Sequence, residues 1–308
     1  MAFNWGVDKI RGVNIGGWLV LEPWITPSIF QNVDQSLGIV DEFTLTQKLP
    51  QQAPQILRDH WNNWVGFSDF QRIANAGFNM VRIPIGFWAY DNAGTPYVQG
   101  AADYIDAAID WARGSGLKIM IDLHGAPGSQ NGFDNSGQRL DPSQLGWTKG
   151  DTVQRTLNVI KTIANKYAQP SYQDVVVGIE LLNEPMNWEL DMNVVRQFFR
   201  DGYGNVRVVS DTTVIFHDAF LPPSSYNNFL TPADNAQHVA VDHHEYQVFS
   251  DSDVAMAPWQ HRQAVCNRAD AYSGADKWTF VGEWTAAMTD CAYALNGKSP
   301  LLQTLPCG

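Results

Sequence analysis

The sequence predicts an α/β fold, a (β/α)8 barrel with only seven recognisable strands, and three observations carry that expectation. Short, near-continuously apolar runs rich in β-branched residues recur along the chain, as strands covered on both faces should read. Amphipathic helical patterns lie between several of them, and such alternation implies a parallel sheet. No GxGxxG or phosphate-binding loop follows the first run, which removes the main support for a doubly wound sheet. An incomplete TIM-type barrel is the architecture left.

In chain order the strand candidates are RGVNIGG (11–17), FNMVRIPI (78–85), LKIMIDLHG (117–125), VVVGIELLNEP (175–185), TTVIFHD (212–218), VAVDHHEYQ (239–247) and WTFVGEW (278–284). Before the second, Ser68 is placed as the cap of a helix carrying Phe70, Ile73 and Ala74 and ending at Gly77. Segment 101–113 sets Tyr104, Ile105, Ala108, Ile109 and Ala112 on one face. In 152–169 the residues Val153, Leu157, Ile160, Ala164 and Tyr167 recur at helical spacing, with Asp151 or Thr152 as cap and Pro170 as stop. Segment 191–203 repeats the pattern with Val194, Val195, Phe198 and Phe199.

The 308 residues, 44% of them hydrophobic, suffice for one large α/β domain or two ordinary ones. No linker, repeat or low-complexity stretch divides the chain, so residues 1–308 are read as a single barrel domain. Charged residues reach only 17%, unlike a disordered chain. A net charge of −12 argues against nucleic-acid partners and an anionic membrane surface. No apolar run is long enough to span a bilayer. The opening MAFNWGVDKIRG lacks a signal-peptide core, so the chain is read as cytosolic or as a mature form whose leader is replaced by Met1. Cys266, Cys291 and Cys307 lack metal-ligand spacing; one disulfide with a leftover thiol and buried structural thiols are both open.

The strand ends are unusually polar. Arg82 lies on strand two, Asp122 and His124 end strand three, and Asn183 and Glu184 end strand four. His217 and Asp218 follow on strand five, His243, His244 and Tyr246 on strand six, and Glu283 and Trp284 on strand seven. A barrel gathers such groups at its carboxyl-end mouth. Glu184 and Glu283 would then form a carboxyl pair, which is the equipment for cleaving a glycosidic bond. One acid protonates the leaving oxygen; the other, kept ionised by a cation such as Arg82, attacks the anomeric carbon. A gap of roughly 5 Å between the carboxyls would retain configuration, and a larger one would invert it.

Plainer readings stand beside these. Arg82 could pair with Glu180 on strand four, and each histidine taken alone could be a core residue. A metal site is disfavoured, since no HxH or HExxH spacing occurs. His243 and His244 are adjacent and should face opposite ways, as should Asn183 and Glu184. For both members of a pair to reach the mouth, the strand must bulge or curl.

The stretches RGVNIGGWLVLEPWITPS, NMVRIPIGFWAY, IDLHGAPGSQNGFDNSG, GIELLNEP, VDHHEYQVFS and VGEWTAAMTDC carry a resemblance across nearly the whole chain. The chain resembles glycoside hydrolase family 5, and within it the fungal exo-β-1,3-glucanases (glucan 1,3-β-glucosidases). The resemblance implies a retaining mechanism with Glu184 as acid/base and Glu283 as nucleophile. It implies that Asn183 binds the sugar 2-hydroxyl, that Arg82 and Tyr246 attend Glu283, and that His244 positions the pair. It further implies that Glu22 and His124 hold hydroxyls of the terminal glucose, with Asp134 and Asn135 close by. Phe133 and Phe249 would clamp the pocket entrance. The implied partner is a β-glucan or β-glucoside, with no cofactor or metal, acting as a monomer outside the cell or at the cell wall.

Two substitutions depart from the family pattern: Glu245 stands where His is frequent, and Trp24 where Tyr is common. After Glu283 the chain soon ends in ALNGKSPLLQTLPCG, where the family supplies an eighth strand with a terminal Trp; LLQTL is the one candidate. The C-terminal part of the family pattern is therefore expected to be missing, leaving strands one and seven as open edges. Two rival readings follow: a β-glucosidase for aryl, steryl or 6-O-linked glucosides, and an inactive barrel that at most binds β-glucan.

Overall fold

The computed structural model describes residues 3–292, 294 and 295. Among these, seven parallel strands form one sheet in the order β1 to β7, curled into a nearly closed barrel. They are β1 (Gly12–Asn14), β2 (Met80–Gly86), β3 (Lys118–Gly125), β4 (Val176–Glu180), β5 (Thr213–His217), β6 (Val239–Glu245) and β7 (Trp278–Trp284). Helices α1 (Pro27–Gln31), α2 (Glu42–Lys48), α3 (Ala53–Trp64) and α4 (Phe67–Asn75) lie between β1 and β2. Helices α5 (Ala102–Ser115), α6 (Thr152–Tyr167) and α7 (Met192–Arg207) follow β2, β3 and β4, and α8 (Asp251–Val254) and α9 (Pro258–Ser273) follow β6.

The apolar runs become strands because both faces are covered. Every residue of β2, β4 and β5 is buried. The outer face packs on helical stripes such as Leu157, Ile160, Ile163, Ala164 and Tyr167 of α6. Inside, Met80, Met120, Ile215 and Ala240 form an apolar plug with Phe3 and Trp5, whose indole N–H donates to the Val177 carbonyl at 3.2 Å. Side chains alternate along a strand. Two residues further on, three of these strands present Arg82, Asp122 and Asp242, and His124 and His244 come two beyond those acids. The barrel interior thus runs from apolar at its floor to charged at its mouth.

Several expected boundaries shift. Ser68 is not a cap: Gly66 holds that position in extended conformation, and its N–H donates to the Asp69 carboxylate at 3.0 Å. Asp69 has the longer reach back over the first turn, which leaves Ser68 inside the helix. The first strand is only three residues long, because Gly17 turns the chain through a left-handed conformation at φ 66°. Asp151, rather than Thr152, is the N-cap of α6, and Pro170 opens a 3-10 turn beyond its end. Cys266 and Cys291 are exposed rather than buried. The LLQTL candidate and Cys307 lie outside the described residues.

The seam between β1 and β7 carries no backbone ladder among the described residues. It is bridged by Asn14, whose side-chain amide donates to the Gly282 carbonyl at 2.8 Å. Burial thins toward this side. β7 is half-buried along most of its length, and α9 has no buried residue.

Candidate active site

Strand four explains how two adjacent side chains can serve one mouth. The regular strand stops at Glu180, and the next five residues curl over the barrel end. The Leu181 N–H still donates to β5, at Ile215, but the Asn183 N–H donates to β3, at Leu123. Glu184 then takes a left-handed φ of 46°, unusual for a side chain other than glycine or asparagine. Asn183 and Glu184 therefore both reach the mouth, as the curled end requires. The β6–β7 register slips between His243 and His244, which pair with Val281 and Glu283 and leave Gly282 of β7 as the extra residue of a bulge. His244 enters the site; His243 turns to Asp218 at 2.5 Å and to Glu245 at 3.3 Å.

Arg82 is the hub. Its Nε donates to Glu180 at 2.8 Å, Nη1 to Glu283 at 2.8 Å and Asn14 at 3.2 Å, and Nη2 to Asn183 at 2.9 Å. Asp122 lies 3.2 Å and Asp242 3.5 Å from the same guanidinium. Arg82 thus bonds Glu180 and Glu283 at the same time. The guanidinium is buried, which opposes its charge, yet the surrounding Asp122, Glu180, Glu283 and Asp242 raise its pKa further.

Glu283 is flanked by Arg82, by the Tyr246 hydroxyl at 2.9 Å and by His244 Nδ1 at 3.5 Å. Burial pushes its pKa up, but His244, Arg82, His124 and the Tyr246 hydrogen bond outweigh this and hold it down at about 2. Glu184 sits opposite. Its Oε1 meets His244 Nδ1 at 2.7 Å, and its Oε2 accepts from the Asn135 amide at 3.2 Å. One imidazole nitrogen therefore lies close to both acids. Glu184 Oε1 and Glu283 Oε2 are therefore no farther apart than those two contacts laid end to end, so the carboxyls face each other across one ring nitrogen. His244 is desolvated, which disfavours its charge, but Glu283, Asp242 and Glu184 lift its pKa well above the ordinary imidazole value.

The other expected residues line the same opening. His124 Nδ1 meets Asp122 at 2.6 Å, and its Nε2 lies 3.5 Å from the Asn183 amide. Burial opposes its protonation, and Asp122 prevails, so its pKa is raised. Glu22 is buried, and burial lifts its pKa to about 7 against the charge of His124 and the indole N–H of Trp24 at 3.1 Å. Asp134 is pushed up to about 6, chiefly by burial. Phe133 and Phe249 stand exposed on the loops after β3 and β6.

Three supporting residues escaped the sequence reading. Asn14 joins Arg82 to the β7 carbonyl. Gln130 ties the loop together, donating to the carbonyls of His124 and Asn183 at 2.8 Å each while accepting from the Ala126 N–H at 3.1 Å. Asp242 accepts from the Gly282 N–H at 2.7 Å and so fixes the bulge that presents Glu283. The first is a short β1 residue beside glycines, the second sits in a loop, and the third reads as one more polar residue in a strand.

Two triplets, Glu184–His217–His244 and Glu180–Asp242–His244, bring metal-ligand atoms within 4.8 Å of each other. In the first, His217 Nδ1 already accepts the Ala219 N–H at 3.0 Å and His244 Nδ1 is engaged with Glu184. In the second, Glu180 is bonded to Arg82. Both triplets thus read as hydrogen-bonded networks around the acids.

Residues 52–298 match the family model described as Cellulase (glycosyl hydrolase family 5). The chain belongs to glycosyl hydrolase family 5. As a family 5 member it is a glycosidase, and the paired acids at the barrel mouth are the groups such an enzyme needs. It is 51% identical over 299 residues to a glucan 1,3-beta-glucosidase of Blumeria graminis, covering 96% of this chain and 69% of that protein. With a glucan 1,3-beta-glucosidase of Yarrowia lipolytica the identity is 47% over 311 residues, covering 98% and 73%. The fold is also that of the rutinosidase from Aspergillus niger, with a TM-score of 0.80 at 23% identity over 92% of this chain and 81% of that one.

Proposed function

We propose that this family 5 chain is a retaining exo-glucosidase that releases glucose from the non-reducing ends of β-1,3-glucan. The observation that carries the reading is the carboxyl pair Glu184 and Glu283 held on one imidazole, in a chain about half identical to glucan 1,3-beta-glucosidases. Glu283, kept ionised, attacks the anomeric carbon and forms an acylal bond to the sugar. Glu184 gives its proton to the departing glucosidic oxygen, so the leaving chain goes as an alcohol. Water then attacks the same carbon from the vacated side, Glu184 takes its proton back, and Glu283 leaves as carboxylate. Atoms and charges balance with two carboxyls and one water, so the cycle calls for no cofactor.

The surrounding residues take roles consistent with their positions. Asn183, fixed by Arg82, faces the sugar 2-hydroxyl, where hydrogen bonds strengthen in the transition state. His124, Glu22, Asp134 and Asn135 supply polar contacts to the terminal glucose, and Phe133 and Phe249 stack the next unit. His244 spans both acids and keeps them in register. A polymeric substrate does not cross a membrane unaided, so the proposed setting is extracellular or at a cell wall, in a polysaccharide-degrading role.

The test is glucose release from laminarin by the purified chain beside Glu283→Gln. A drop of several orders of magnitude in the variant is expected, as for loss of a covalent nucleophile. Labelling by a 2-fluoro-glucoside should add one sugar mass at Glu283. A chain that is folded yet labels elsewhere, or releases no glucose from laminarin, overturns the reading.

A further inference from the structure

We infer that Glu42, buried out of reach of any substrate, is a positioning residue that holds Glu22 against the terminal glucose by way of the Leu21 backbone, a proposal that rests on the glucosidase reading above. Glu42 is fully buried, and its two carboxyl oxygens face two fixed donors. Oε2 accepts the Leu21 N–H at 2.9 Å, and Oε1 accepts the Trp88 indole N–H at 2.8 Å. Leu21 directly precedes Glu22, so the first bond fixes the backbone from which Glu22 projects.

The ordinary explanation for a buried acid, an ion pair, does not apply. Among the described residues no cation stands against Glu42; burial lifts its pKa to about 7, and the neighbouring Asp41 opposes ionisation as well. An uncompensated carboxyl in a core costs stability, and an apolar residue of that length would fill the space more cheaply. What an apolar residue lacks is the pair of acceptors.

Glu42 also lies at a junction, because its neighbours at the start of α2 hold the opposite wall. The Asp41 carboxylate accepts the Arg139 N–H at 2.6 Å, and the Phe43 N–H donates to the Gly137 carbonyl at 2.9 Å. Gly137 and Arg139 follow Asn135, whose amide bonds Glu184 at 3.2 Å. Trp88, pinned by Glu42, packs under the same loop: a β-carbon at Gly125 or Gly137 would collide with its ring. Asp41, Glu42 and Phe43 therefore clamp the β1 loop to the β3 loop, and Glu42 is the one that grips the backbone beside Glu22. Site groups must be held to within about 0.5 Å of their productive place, which is what such a clamp supplies.

The experiment is a double-mutant cycle between Glu42 and Glu22, read as kcat/KM on an aryl β-glucoside, whose good leaving group keeps impaired variants measurable. Glu42→Met removes both acceptors at similar length. It should lower kcat/KM about ten-fold with Glu22 present, as for one unmade hydrogen bond, and less than about two-fold in a Glu22→Ala background. Glu42→Gln keeps one acceptor and should lose about three-fold, with the same collapse in the Glu22→Ala background, so the cycle can be closed even where Glu42→Met does not fold. Equal losses in both backgrounds would mean that Glu42 merely supports the fold, and overturn the proposal. So would a folded Glu42→Met of wild-type kcat/KM. Laminarin separates this from the broader reading: a wild type that cleaves the aryl glucoside and not laminarin overturns the glucan reading, and the cycle still decides Glu42. A folded wild type that turns over neither overturns both.

Discussion

Arg82 is buried, and four carboxylates surround its guanidinium. Removing one partner of a buried ionic cluster leaves charge uncompensated, typically at a cost of about 3–5 kcal/mol. Arg82→Met is expected to lower stability in urea melts by that order and to cut kcat on an aryl β-glucoside at least a hundred-fold, because Glu283 loses the cation that helps to keep it ionised. A variant of wild-type stability would remove Arg82 from the centre of the site. Glu22 yields a pH prediction. Folded, it keeps its proton up to about pH 7; its ordinary value is 4.5. Between those values the unfolded chain has already lost a proton that the folded chain still holds. Stability therefore falls as pH rises through this window and levels off above 7, by up to about 3 kcal/mol for a shift of this size. Glu22→Gln removes that slope, so its stability relative to wild type should climb between pH 4.5 and 8; a constant difference would contradict it. The type of each of these residues was legible in the sequence, and for Arg82 so were two candidate partners, but the full set around it was not. The choice between Glu180 and Glu283 for Arg82 was undecidable on paper because the fork of the guanidinium takes both.

Strand β4 and the loop after β3 show the same limit at the level of elements. The run 175–185 is legible as a strand, but its last five residues leave the ladder. What bends them is Gln130, far away in sequence, gripping the Asn183 carbonyl. Alternation along a strand cannot foresee such a partner. The β1–β7 seam depends on Asn14 in a similar way, since its amide reaches Gly282 while its carbonyl oxygen accepts from Arg82. Asn14→Ala would strip both bonds from a partly buried position. A loss of about 1–3 kcal/mol is expected from the unpaired groups, together with a lower kcat, since Glu283 directly follows the released Gly282. Thermal melts and steady-state rates check both; unchanged values for the two would mean that the seam is held by something other than Asn14.

Across the whole molecule the two acids stand on unequal ground. Glu184 follows a strand in which every residue is buried, backed by the apolar face of α7 with Val195, Phe198 and Phe199. Glu283 lies on β7, where no residue is fully buried, beside α9, which has none either. That helix is tied down mainly by polar contacts: Tyr272 to Glu245 at 3.0 Å, Arg268 to Glu245 at 3.3 Å and His261 to Gln247 at 2.9 Å. The sequence reading identified α4, α5, α6 and α7 from their apolar stripes and passed over 258–273, because a helix that buries nothing writes no stripe. Local stability follows buried apolar contact, so opening should begin at β7 and α9 and end at β2 to β5. Amide exchange at native pH is expected to be faster by at least about a hundred-fold in β7 than in β3, equivalent to a gap of about 2.7 kcal/mol in opening free energy. Because β7 carries one of the two acids, activity should vanish at a lower urea concentration than the far-UV circular dichroism of the barrel. Coincident midpoints for activity and ellipticity would show instead that β7 unfolds only with the rest, and that the catalytic pair is held by the cooperativity of the entire sheet.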